Sequence, residues 1–169
     1  MKGRSPCPVA GLVVGLAGFM LTASARAAPC ETVTAALQQM EDSTVILSGD
    51  GEERLEIPVK IADDVNELAA GFQHICPEDI GDTAILFRFG VRTETAFHMH
   101  NVQAPLDIAH IDASGLVIDV QRMEPYVNSV VFVNHPLYRP AGPFMSALET
   151  AAGRLERLGI RVGSRIVLK

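Results

Sequence analysis

LDIAHIDASGLVIDVQRM, Leu106 to Met123, is two apolar, β-branched runs set around Asp112-Ala113-Ser114-Gly115. An Asp that bonds its own backbone and a Gly that accepts a positive φ make that tetrapeptide a turn. The stretch therefore reads as a hairpin, with one strand over 106–112 and its partner over 116–123. On the N-terminal side, Ala84 to Phe89 reads as a strand ended by Gly90, and Thr93 to Asn101 as another. Leu55, Ile57, Val59 and Ile61 alternate with Glu56, Pro58 and Lys60, the period of a half-buried strand. Pro58 places that strand near an edge. Asp64 followed by Glu67 is a capping box, opening a helix through about His74 with Leu68 and Phe72 facing the core.

On the C-terminal side, residues 124–143 form a Pro-rich loop with room for one extra strand at Val130 to Val133. Phe144 to Glu149 reads as a strand. Ala151 to Leu158 reads as a short helix ended by Gly159 in the left-handed conformation, and Arg165 to Leu168 as a last strand. Glu31 to Asp42 reads equally as a short helix or an unstructured arm. Thr44 to Leu47 is a short apolar run, followed by a turn at Gly49-Asp50-Gly51. The fold class expected is α+β, mainly β: a small, mostly antiparallel sheet, barrel-like, with two short helices. Residues 55–169 form one domain and 28–54 an N-terminal arm.

The start of the chain is of another kind. Lys2 and Arg4 precede an almost wholly apolar run from Val9 to Leu21, and Ala25-Arg26-Ala27 closes it. Those are the parts of a secretory signal peptide, 1–27, and the run is short for a membrane span, which needs about 20 residues. An uncleaved anchor is the alternative. Cleavage after Ala27 would remove Lys2, Arg4 and Arg26 and no acid, taking the formal net charge from −6 to −9. It would leave a soluble periplasmic or secreted domain with two cysteines, Cys30 and Cys76. Two cysteines in an exported chain suggest one disulfide. Free thiols, or Cys76 as a soft metal ligand beside His74, are the alternatives.

The 169 residues are 48% hydrophobic and 20% charged, the composition of one globular domain. Aromatics make up 5% and Trp is absent, which speaks against a base-stacking platform. The acidic balance speaks against nucleic acid or an anionic membrane as partner. There is no Gly-x-Ser-x-Gly, phosphate loop or His-Glu-x-x-His.

Four segments together resemble one family. They are Leu68-Ala69-Ala70-Gly71-Phe72; Ala84 to Phe89; Phe97-His98-Met99-His100-Asn101 leading to Pro105 through Asp112; and Ala147-Leu148-Glu149 with Gly159-Ile160-Arg161-Val162-Gly163. Met123 and Pro125 fit a further Met-x-Pro. In order and spacing, over about residues 55–168, the chain is similar to the bacterial domain of unknown function 192 family (DUF192). The resemblance implies a small, mainly β domain with two short helices, and little chemistry, because the family has no settled activity. The departures concern histidine. The family usually reads Phe-Trp-Met-Lys-Asn-Thr where this chain has His98 at the Trp and His100 at the Lys. It usually has Phe where this chain has His110.

His98 and His100, two apart on the expected strand, would share a face with Cα atoms roughly 6.6 Å apart. Neutral imidazoles so placed can converge on a copper or zinc ion. His110 joins them if the next strand is adjacent and brings it opposite His98; a one-residue slip turns it away. Met123 would add a thioether, which favours copper. The expected metal set is His98, His100, His110 and Met123, with Asn101 and Asp107 as further ligands or as groups that orient a histidine. The plainer reading makes the histidines half-buried sheet residues and Asn101 and Asp107 turn residues. His135 reads as a loop residue. Glu124 and Glu149 would be an acid pair for hydrolysis, but nothing in the sequence sets their separation.

Three functions follow. The first is an exported, non-catalytic domain that holds copper or zinc, or passes it to or from a metal donor or acceptor. The second is a module without metal that binds a small molecule or an envelope protein between the strand pair and the 124–143 loop. The third is a metal-dependent hydrolase, placed last because no general base stands beside the histidines.

Overall fold

The computed structural model describes residues 30–48, 54–126 and 135–169. The expected signal peptide, the Gly49-Asp50-Gly51 turn and the strand at Val130 to Val133 lie outside them. The central hairpin forms as expected from β4 (Leu106–Ile111) and β5 (Val117–Met123), antiparallel with Leu106 opposite Met123 and His110 opposite Asp119. Asp112 closes the turn by accepting the amides of Ser114 (2.8 Å) and Leu116 (3.0 Å), with Gly115 at φ 83°.

The remaining strands extend from the free edge of β4. They are β6 (Phe144–Ala151), β3 (Ala84–Thr93), β2 (Arg54–Ala62), β1 (Glu41–Ser48) and β7 (Arg165–Leu168), giving the order β5-β4-β6-β3-β2-β1-β7. Every neighbouring pair is antiparallel except β2 and β3. A parallel pair needs a crossover, and here it carries α2 (Val65–Ala70) and α3 (Pro77–Ile80). The two other helices are α1 (Ala35–Gln39) and α4 (Arg154–Arg157). The protein is thus α+β and mainly β, and its seven-stranded sheet is open. The two edges approach at one bridge, Leu116 to Arg165.

Local sequence accounts for most boundaries. Asp64 accepts the amides of Asn66 (2.7 Å) and Glu67 (2.9 Å), and Glu67 returns a bond to the Asp64 amide, so α2 opens on a full capping box. It stops at Gly71, φ 48°, short of the expected His74. Pro58 was expected near an edge, yet β2 is an interior strand. Its missing N–H is tolerated because β3 pairs only with Lys60 to Ala62, leaving β2 open on that side at Pro58. Gly90 does not end β3. It sits at φ 68° in an irregularity between Arg88 and Thr93, and the strand resumes beyond it. The C-terminal helix is shorter than expected because β6 runs on to Ala151. It ends as expected at Gly159, φ 71°, with the Ile160 amide donating to the Leu155 carbonyl (2.8 Å).

The expected strand over Thr93 to Asn101 is not there. Beyond Thr93 only Phe97 pairs, in one bridge to Tyr138, and Asn101 turns the chain at φ 56°. The neighbour of β4 on that side is β6 instead. Towards the N-terminus, Cys30 and Cys76 form a disulfide with Cα atoms 4.9 Å apart, and Glu31 bridges to Ile75. Leu37 and Met40 are buried, and β1 lies inside the sheet.

Each face of the sheet carries its own apolar layer. One packs Val45, Ile57, Val59, Ala109, Ile111 and Ile166 with Leu155 and Ile160. The other packs Ile85, Phe87, Leu106, Ile108 and Met123 beneath Leu37, Phe72, Ile75, Met99 and Val102. The second face carries the site.

Candidate functional site

The 94–105 connection lies over this second face and is pinned by Phe97. The Phe97 backbone exchanges two hydrogen bonds with Tyr138, both 2.9 Å. Its ring stands edge-on to Phe87 (5.2 Å, 86°) and to Phe89 (6.3 Å, 88°). From this anchor the chain alternates without being a strand: His98 is exposed, Met99 buried and His100 half-buried. The Met99 amide donates to the Tyr126 hydroxyl (3.2 Å). The His98 and His100 ring centres are 6.3 Å apart, and the His100 amide donates to His98 Nδ1 (3.3 Å).

The third imidazole of this group is His135, expected only as a loop residue. Its ring centre is 6.2 Å from that of His100, and it stacks on Tyr126 at 4.3 Å. Partial desolvation of the otherwise exposed ring lowers the His98 pKa below its ordinary value, and the positive charges that His100 and His135 can carry lower it further. His98 is therefore neutral at pH 7, the form that ligates metal.

His110 and Met123 are elsewhere. Both side chains are fully buried, and the hairpin register puts them at opposite ends of the β4–β5 pair. Four residues of strand separate those ends by roughly 13 Å. The His110 ring packs on Phe144 (4.9 Å) and Phe97 (5.7 Å), and its Nδ1 lies 3.4 Å from Asp119. Its Nε2 has no partner among the described residues. Burial lowers its pKa, against the opposing pull of Asp119. The four residues expected to share one ion are thus not brought together, because His98 is not on a strand beside β4.

Asn101 and Asp107 do structural work. The Asn101 carbonyl accepts the His74 amide (2.8 Å), and its side-chain amide donates to Gln73 (3.4 Å). Asp107 lies on the opposite sheet face from His110 and accepts from the Gly153 amide and from Arg122. Cys76 is no soft ligand. It lies close to Glu78 and Asp79, but its sulfur is in the disulfide. Glu124 is exposed while Glu149 is buried, so they form no acid pair.

Glu149 belongs to another feature. A cleft of about 180 Å³ opens between α2 and the 94–105 connection, with Glu149 in its lining and His98 beside it. Glu149 is 5% exposed and lies between Ile85 and Ile108 on the neighbouring strands. Burial pushes its carboxyl up to about 8. Its sequence signal was faint: one acid in an otherwise uncharged strand.

Residues 45–168 match the family model DUF192, described as an uncharacterized ACR. The match begins inside β1, at Val45, ahead of the region where the resemblance was legible. Two solved structures share the fold. A candidate transcription regulator from Sinorhizobium meliloti 1021 is 23% identical, with 76% of this chain and 95% of that one covered, at a TM-score of 0.61. A protein of unknown function from Novosphingobium aromaticivorans DSM 12444 is 22% identical, with 89% and 99% covered, at a TM-score of 0.59. No curated protein matches the chain.

Proposed function

The chain belongs to the DUF192 family, and on that premise we propose that it is an exported, non-catalytic domain binding a copper- or zinc-type ion through His98, His100 and His135. The observation that carries this reading is the run of three imidazoles with centres 6.3 and 6.2 Å apart. Nitrogens about 2.0–2.1 Å from one ion place ring centres on the order of 5–6 Å apart, so each of these two pairs would have to close by about an ångström, and all three rings would have to turn their nitrogens toward one point, since those nitrogens do not all lie within 4.8 Å of one another. Metal binding would displace the 3.3 Å bond from the His100 amide to His98, a small cost beside three metal–nitrogen bonds. With Met123 on the core side there is no thioether in the set, and three imidazoles favour Zn or Cu(II) over Cu(I).

Export is supported by the n-region, apolar run and Ala-x-Ala of residues 1–27, and by a disulfide, which persists in oxidising compartments. Intact mass of protein recovered from the periplasm should begin at Ala28; a retained Met1 to Ala27 segment would refute cleavage.

Zinc and copper(II) titration by calorimetry tests the site. The wild type should bind one ion. His98→Ala/His100→Ala and His135→Ala should each weaken binding at least tenfold, and binding should fall as the solution is acidified, because a protonated imidazole cannot ligate. Equal affinity in the wild type and both variants would end the reading. The second reading, a small-molecule module, is favoured by the cleft at Glu149.

A further inference from the structure

The cleft beside His98 joins a polar floor to aromatic walls. Phe97 stands at right angles to both Phe87 and Phe89, and all three rings line the cleft. Glu149 lies in the same lining, with apolar strand neighbours on both sides. No hydrogen bond or ion pair holds its carboxyl among the described residues. Gly71 keeps the approach clear: a Cβ there would stand 3.4 Å from Glu149 Oε2 and 3.2 Å from the Phe87 ring.

A buried carboxyl without a partner is costly, and the partner that removes most of the cost is a cation. Phenyl faces attract cations through their quadrupole. A metal ion would find the Glu149 carboxyl and the His98 imidazole set among phenyl rings, fewer strong donors than its coordination shell takes. An anion would be repelled once the carboxyl ionises. Among the described residues, the titratable groups lining the cleft are Glu149 and His98. The volume, about 180 Å³, equals roughly six waters, which suits a small head group and excludes a nucleotide.

We propose that this cleft binds a small organic ammonium ion, its positive head between the Phe87, Phe89 and Phe97 rings and the Glu149 carboxylate. The proposal shares only His98 with the metal reading, and its test uses chelator-treated protein.

Choline chloride and its uncharged isostere 3,3-dimethylbutan-1-ol serve as probes at pH 9, where Glu149 is ionised. Calorimetry and chemical-shift titration should show choline binding to the wild type at least tenfold more tightly than the alcohol. Glu149→Gln, equal in size, should lose at least tenfold in choline affinity and leave the alcohol unchanged. Gly71→Ala, which obstructs the cleft while keeping the carboxyl, should weaken both probes; near-ultraviolet circular dichroism checks that it folds. The proposal is overturned if choline binds the wild type and Glu149→Gln equally, if the alcohol binds as tightly as choline, or if the wild type shows no choline binding at 100 mM.

Discussion

Replacing Glu149 by Gln should make the protein more stable, by an amount that grows with pH. The folded carboxyl titrates at about 8 against 4.5 for an ordinary Glu, because burial alone opposes its charge. Below pH 4.5 both states hold the proton, and the neutral carboxyl contributes its full share. Between 4.5 and 8 the unfolded chain releases a proton that the folded chain keeps, so stability falls as pH rises. Each pH unit removes about 1.4 kcal/mol, at most about 5 kcal/mol over the window, with no further loss above 8. Gln has nearly the same shape and no proton to lose. Urea unfolding of wild type and Glu149→Gln, disulfide intact and ionic strength fixed, from pH 4 to 9, isolates this group from the others. The two should be within about 1 kcal/mol at pH 4, with Gln ahead by about 3–5 kcal/mol at pH 8.5. A difference that stays constant across the range would show that Glu149 is solvated or paired, and would refute the reasoning.

Removing the Cys30–Cys76 bond by a double Ser substitution should cost about 4 kcal/mol in urea unfolding, given its sequence separation of 46. Asp64→Ala deletes both cap bonds of α2 and should lower stability by about 1 kcal/mol. His110→Phe removes a buried nitrogen, Nε2, with no partner among the described residues and should stabilise by about 1–3 kcal/mol. His110 has a lowered folded pKa, so the wild type loses stability as pH falls below about 6.5. Denaturation at pH 7 and 5.5 should show a smaller loss for His110→Phe; equal losses would count against it.

The elements legible in the sequence were those written in local chemistry. The Asp112 turn, the Asp64 and Glu67 box and the alternation from Leu55 to Ile61 each contain their own reason to form. The errors came where pairing lay elsewhere in the chain. Gly90 has the look of a strand end, but β6 beside it lets β3 continue past an irregularity. Phe97 to Asn101 carries an out-in-out burial pattern that mimics a strand, yet its one bridge runs to Tyr138. That misreading undid the expected metal set, since His110 was to face His98 across a strand pair that does not exist. His135 and Tyr126 reach the histidines through the long loop, which has no periodicity to read. The burial of Glu149 depends on Ile85 and Ile108, far from it in sequence.

The strand order has a consequence for how the chain reaches this state. β1, the first strand, is held on one side by β2 and on the other by β7, the last in the sequence, with Val45 opposite Leu168. Contacts this distant make for slow folding, because the intervening loop must be closed before they form. While the C-terminal residues remain on the ribosome, one edge of β1 stays open and the sheet is incomplete. Cys30 and Cys76 both precede β3, so oxidation can lock the N-terminal region while that edge still waits. The covalent tie is available early and the last hydrogen-bonded ladder late, an order of events compatible with crossing a membrane unfolded.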